Sequence, residues 1–430
     1  MEAVADTPGF ETRDAAGGAA TAGSGRVGNV DVLRAVAALG VLVGHAYALG
    51  GRPVPNLAQH WYDVPLQATT TGVWLFFAIS GYVISRPFVD RLVAGQALPE
   101  LVPYALRRGF RIFPLYWVAV TAIILIDGLG GTRIWQVPFH LALLQNLVPG
   151  QQEALLTVAW TLTIEVLFYA AVPLLAAAVR RWTKKAVTAE RLVFMVIVSW
   201  IVSIGLTLVA DRGGNLSVGL WLQTLFPMYW QMFCPGILAA IAPHLRTEGW
   251  RRWLVELPAR RGALWLAFAL LAVAATVSST VTLRYGLAVA AVIHDLMRPV
   301  FAVGYGLILM AAIRARPWSE SLGGWVLRLG LVSYGIYLWH AVLEAFLLSP
   351  SGDQFIPLPH GGLLAFVVHV AFLAALTIPI ALVSWTWFER PMIGLGSRLA
   401  ERWRAGHPRP AEAGIGGGVA PAPGPGGLDR

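Results

Sequence analysis

Lysine and cysteine are nearly missing: Lys184, Lys185 and Cys234 are the only residues of those types among 430. One thiol excludes an intrachain disulfide framework, metal centres built on several thiolates and Cys-pair redox chemistry, so Cys234 is expected to be a packing residue. Charge is scarce too. Asp, Glu, Lys and Arg make up 13% of the chain, about half the ~25% of a soluble domain. In its place stands apolar sequence, 57% hydrophobic with a mean hydropathy of +0.64. The composition is that of an all-α, polytopic transmembrane helix bundle. No basic start leads into an apolar block, so no cleavable signal peptide is expected. Residues 1–28 read as a disordered Gly/Ala-rich tail, 29–393 as one membrane domain, and 394–430 as a cytoplasmic helix end running into a disordered Pro/Gly-rich tail.

Apolar windows of about 20 residues fall near 30–50, 68–86, 111–127, 158–179, 192–210, 218–243, 262–283, 286–313, 329–348 and 361–386, predicting about ten spans. The stretch 134–149, broken by Pro138 and carrying His140, Gln145 and Asn146, fits a short re-entrant or interfacial segment. Charge supports that choice. With the N-terminus inside, only Arg52, Arg133, Arg212, Arg284 and Arg298 fall on outer segments, and the other 27 of the 32 basic residues lie inside. Both termini are therefore expected in the cytoplasm. The net charge of +9 is on this reading a topology signal rather than a nucleic-acid footprint. Nearly all the basic residues being Arg suggests a GC-rich bacterial genome, and so a multi-pass protein of the bacterial cytoplasmic (inner) membrane.

Ionisable residues inside spans are costly enough to be functional candidates. Arg34 and His45 stand in VDVLRAVAALGVLVGHAYALG. Eleven helical steps return to within about 20° of the same face, roughly 16 Å further along the axis. Asp31, one turn before Arg34, is expected to pair with it. Counted from the span boundaries, His45 and Glu165 could share a layer near the outer side. A carboxylate there would orient the imidazole and raise its pKa, as a general base requires; alternatively each is satisfied separately. In YALRRGFRIFPLYW, Arg108 and Arg111 are one turn apart and share a face, with Arg107 beside them. Guanidinium forks suit phosphate, although such a cluster can also only set topology. Arg34 at the same level favours a phosphate seat.

Five patches resemble the membrane-bound acyltransferase-3 family: Asp31 to His45, Gly72 to Ser85, Arg107 to Trp117, Trp160 to Leu175 and Ser333 to Leu343, with Phe388-Glu389-Arg390-Pro391 as a cytoplasmic ending. They occur in order from about 30 to 393. The resemblance implies an acyl-CoA-dependent O-acyltransferase moving an acetyl or short acyl group from cytoplasmic acyl-CoA to a hydroxyl of a sugar, polysaccharide or glycosylated small molecule. It implies His45 as the essential catalytic histidine, Arg34 as its motif partner, and Arg108 and Arg111 as the arginine pair assigned to the donor. Val32, Trp74 and Val166 depart from the family pattern, where Gly, an acidic residue and a second Glu are commoner, which bears on the acceptor and on the share of work done by Glu165.

The physical reading is compatible with this chemistry. Acyl-CoA needs a basic seat for its nucleotide and a reactive centre many ångströms away. Glu165 would stabilise the imidazolium or place the acceptor; Asn146, Tyr337 and Trp160 are candidate oxyanion donors. His340 is expected chiefly as a structural hydrogen-bonding residue, with a substrate-binding role the lesser reading. His294, Asp295 and Arg298 could line an acceptor mouth or form an ion pair. The partners expected are acyl-CoA, with acetyl-CoA the favoured donor, a carbohydrate acceptor and the lipid bilayer, with no nucleic acid. No metal is expected, because the histidines lie on different spans without ligand spacing. The rival reading is a secondary transporter using Arg, His and Glu as a pathway, against which stands the absence of a repeated motif in the second half.

Overall fold

The computed structural model describes residues 24–50, 62–184, 186–210, 216–246, 256, 260–316, 320–347, 358 and 362–407. The tails at 1–23 and 408–430 lie outside these. Among the described residues the chain is all helical, with no strand. α1 (Ser24–Gly50), α2 (Asp63–Ala68), α3 (Gly72–Val93) and α4 (Leu101–Asp127) open the bundle. Gly128, at φ +68°, ends α4 where a side chain would be strained. Between α4 and α6 (Ala159–Thr183) come only pieces of three to five residues, including α5 (Val137–Leu141), none long enough to cross a bilayer.

Seven helices among the described residues are long and apolar enough to span a membrane, and eight if one bent pair counts as a single span. The expected ten windows are therefore not all seen as full-length helices. Window 192–210 is α7 (Ala189–Ala210), and window 218–243 is broken into α8 (Leu216–Leu222) and α9 (Phe226–Ile241). Pro227 stands in the first turn of α9, where its missing N–H leaves no bond unmade, so a new helix starts there. Window 262–283 is represented by a shorter apolar helix, Gly262–Ser278. The ninth window is the bent pair, α11 (Glu320–Leu331) and α12 (Ser333–Leu347), which turn by 66° at the junction.

Helical assignment runs without interruption through α10 (Arg261–Arg314), which joins two expected windows. A straight helix would hold Leu271 and Gly304 about 50 Å apart. Yet a Cβ on Gly304 would meet the Leu271 side chain at 2.8 Å, so the two halves of this element lie side by side. The last membrane helix, α13 (Gly362–Ser384), passes through a π-helical turn at Trp385–Glu389 into the amphipathic α14 (Arg390–Gly406), which packs on α4.

The order of neighbours is set by small residues. α3 and α9 cross where Gly81 faces the carbonyl of Phe233 and Gly236 faces that of Ala78; a Cβ at either glycine would overlap the opposing oxygen. Without a hydrophobic driving force between helices in lipid, close backbone approach supplies the packing energy. Around this crossing Phe77, Phe168 and Phe233 are buried and stacked, and Cys234 is buried beside them, in keeping with a packing role. Gly236→Ala is expected to cost roughly 1–3 kcal/mol through overpacking. The measurement is the thermal midpoint of the detergent-solubilised protein, and an unchanged midpoint would show that the crossing can open freely.

Candidate active site

α1 is helical through both of its ionisable residues, so Arg34 and His45 stand at two levels of one helix. The Arg34 level is built first. Arg34 pairs with Asp31 at 3.6 Å, as the one-turn spacing predicts. The carbonyl of Asp31 lies so close to Gly330 of α11 that any side chain there would collide with it, which fixes α1 against the bent pair. Arg34 and Arg111 line one cavity together with Ser80, Glu165, Tyr169 and Tyr337. Glu165 accepts hydrogen bonds from the hydroxyls of Ser80 and Tyr169, both at 2.7 Å. The Arg108 guanidinium lies 5.8 Å from the centroid of the Tyr169 ring. The two same-face arginines, Arg34 and Glu165 thus belong to one neighbourhood.

The His45 level holds a different carboxylate. His45 Nδ1 is 3.1 Å from Glu344 Oε2, and its ring meets that of His340 edge-on with centroids 4.9 Å apart. Glu165 is not the hydrogen-bond partner of His45, which corrects the expectation that those two would share a layer. The reason is where α6 begins. An outer boundary at residue 158 would put Glu165 high in the bundle, but Thr161 bonds to Tyr337 at 2.6 Å, and Tyr337 also donates to the carbonyl of Val158 at 3.0 Å. Tyr337 lies three residues before His340, so α6 starts already sunk into the bundle. Glu165, one turn further on, falls to the level of Arg34.

Glu344 is the residue that sequence reasoning missed. The motif patch quoted for this helix, SYGIYLWHAVL, stops one residue short of it. A signal was present, since His340 and Glu344 are four apart and must share a helix face. Their setting is confined: His340 is 0% exposed, and the side chains of His45 and Glu344 are 29% and 11% exposed. His340 Nδ1 is 3.0 Å from the carbonyl of Ile336. A carbonyl only accepts, so Nδ1 carries the proton and Nε2 the lone pair. That Nε2, like Glu344 Oε1, is buried with no hydrogen-bond partner among the described residues.

The other candidates fall in two groups. Tyr337 lines the cavity and touches His340, ring centroids 5.7 Å apart, so it links the two levels. Asn146 and Trp160 instead hold the connection between α4 and α6. The Asn146 amide nitrogen donates to the carbonyls of Trp160 and Thr224 at 3.1 and 3.0 Å, which uses both of its N–H groups and leaves none for an oxyanion. Trp160 packs against Tyr229 at 5.3 Å. His140 fastens the same connection, its carbonyl accepting from Tyr116 at 2.7 Å, and burial pushes its imidazole below the usual range despite a bond to Gln151. Asp295 and Arg298 form a buried ion pair at 2.8 Å, with the guanidinium 4.7 Å from the centroid of the Tyr229 ring.

A bundle of many apolar helices with two linked polar levels in its interior is the make-up of a multi-pass membrane protein. The profile of the acyltransferase-3 family, described as an acyltransferase domain, matches residues 27–386, and the chain belongs to that family. It is 26% identical over 400 residues to nodulation protein 10 of Rhizobium leguminosarum bv. viciae, covering 88% of this chain and 96% of that protein. It is 39% identical over 88 residues to the O-acetyl transferase of Shigella phage Sf6, a match of 19% of this chain and 25% of the phage protein. No solved structure gives a significant match. Family and relatives together support membrane O-acyl transfer by this chain.

Proposed function

We propose that the protein moves an acetyl or short acyl group from cytoplasmic acyl-CoA to a hydroxyl of a carbohydrate or glycosylated acceptor, across the inner membrane of a bacterium, with ten crossings and both termini inside. The observation that carries this reading is the His45–Glu344 pair standing eleven residues along one helix from a cavity lined by Arg34 and Arg111. The two guanidinium groups suit the phosphates of the nucleotide end, and Tyr337, which lines that cavity and touches His340, gives the direction in which the thioester arm would run. Arg108 adds charge beside them.

With Glu344 ionised, Nδ1–H of His45 donates to it and Nε2 keeps the lone pair. Nε2 takes the proton from the acceptor hydroxyl as the oxygen attacks the thioester carbonyl. The tetrahedral intermediate collapses with cleavage of the carbon–sulfur bond. The departing thiolate receives the proton from the imidazolium, so CoA leaves as the free thiol and the acceptor as an ester. Glu344 holds the ring and stabilises the imidazolium, the role a carboxylate plays behind a catalytic histidine elsewhere. Glu165, set among Ser80, Tyr169 and the arginines, orders the donor seat instead.

Membranes carrying the chain and given acetyl-labelled acetyl-CoA should yield base-labile ester label on glycans, and His45→Gln should remove it. Label that crosses the membrane without becoming an ester would support the transporter reading and overturn this one.

A further inference from the structure

His45, His340 and Glu344 come from two helices that are far apart in sequence, yet one ligand atom from each lies within 4.8 Å of the others. We propose that these three side chains form a binding site for a borderline divalent transition-metal ion of the Zn²⁺ class, whose occupancy reversibly silences His45. The proposal rests on the acyl-transfer reading only for its inhibitory consequence.

Four features favour a metal ligand set over three residues that happen to be close. His340 and Glu344 are four apart on one helix, so both project from the same face. The Nδ1–H of His340 is held by the Ile336 carbonyl at 3.0 Å, which fixes the tautomer with Nε2 free; metal-ligating histidines are usually oriented by such a bond from their other nitrogen. That Nε2 and Glu344 Oε1 are buried without hydrogen-bond partners among the described residues, an arrangement costly to leave unmet. Finally, His45 Nδ1 and Glu344 Oε2 are already 3.1 Å apart, close to the separation of two donors on one small ion whose bonds are about 2.0–2.2 Å.

The donor types select the ion. Two imidazoles and one carboxylate are a known zinc set that leaves a fourth position open, whereas Mg²⁺ and Ca²⁺ require about six or more oxygens. The partial exposure of His45 and Glu344 gives the ion access. Coordination consumes a ring nitrogen of His45 and ties down its carboxylate partner, so proton abstraction stops while the ion is bound. Ligation needs neutral imidazoles, so binding weakens as pH falls.

Co²⁺ added to the purified protein in lipid nanodiscs provides a readout that needs no turnover. The wild type should develop the visible d–d absorption of a four-coordinate ion, saturating at one equivalent and displaced by Zn²⁺. The near-isosteric Glu344→Gln and the variant His340→Gln should each weaken Co²⁺ binding by more than about tenfold, a loss seen even for changes that only orient a ligand. Remote His140→Gln, which leaves all three donors in place, should retain the band. Zn²⁺ should then inhibit acyl transfer by the wild type, with recovery on chelation. Absence of the band in the wild type, its persistence in both site variants, or full activity with the site occupied would overturn the proposal. A band of the expected behaviour in a protein that transfers no acyl group would sink the acyl-transfer reading and leave the metal site standing.

Discussion

Glu344→Gln should lower kcat for acyl transfer by about two to three orders of magnitude, while the KM for acyl-CoA changes little. General acid–base catalysis by a positioned side chain contributes typically 10²–10⁴-fold, and loss of the carboxylate behind a catalytic histidine forfeits much of it by permitting the wrong tautomer. Glutamine keeps the volume but presents an amide that can donate to Nδ1. The lone pair of His45 would then be held by that amide rather than offered to the acceptor. His45 Nδ1 and Glu344 Oε2 are 3.1 Å apart, so the switch needs no movement of either helix. Glu165→Gln is the informative control. Its carboxylate bonds to Ser80 and Tyr169, so it should act mainly on donor KM. Steady-state kinetics of both variants in nanodiscs separates the roles. Equal kcat losses would return Glu165 to the proton-transfer centre, and full activity of Glu344→Gln would remove Glu344 from the mechanism.

Which carboxylate pairs with His45 is not legible in a single helix. Periodicity and hydropathy made the helical class legible, along with Arg34 and His45 on one stripe and Arg108 with Arg111 on one face, because these are properties of a single helix. The pairing of His45 is a property of two helices 299 residues apart. Depth arithmetic was the only bridge available, and it assumes that each span begins at the membrane boundary. α6 does not, because the connection before it dips inward, held by Asn146 and Tyr337. The same cause hid the cluster at His45: its histidines lie on different spans, so no ligand spacing shows in the chain, yet the 66° turn between α11 and α12 carries His340 and Glu344 to the end of α1. Which windows form unbroken helices is harder to read. A window average does not register Pro227 starting a new helix within an apolar run.

Arg34→Gln and Arg111→Gln should each raise the KM for acyl-CoA by about tenfold to a hundredfold, with a smaller change in kcat. A hydrogen bond to a charged group contributes roughly 1.5–3 kcal/mol, and loss of binding common to ground and transition states appears in KM alone. Both guanidinium groups line the cavity, while Arg108 rests against the Tyr169 ring, so Arg108→Gln should have the milder effect. Arg107 supplies the contrast. It is one residue along from Arg108, interacts with Glu100, Glu401 and Arg404, and is absent from the cavity lining. If the cluster served only to orient the chain in the bilayer, replacing Arg107 would do as much harm as replacing Arg111. If it seats phosphate, Arg107→Gln should leave the donor KM nearly unchanged, and dephospho-CoA thioesters should lose part of the difference between wild type and Arg111→Gln. Isotherms for CoA itself, measured without acceptor, test this independently of turnover, and equal affinities in the wild type and Arg111→Gln would leave these arginines as topology determinants.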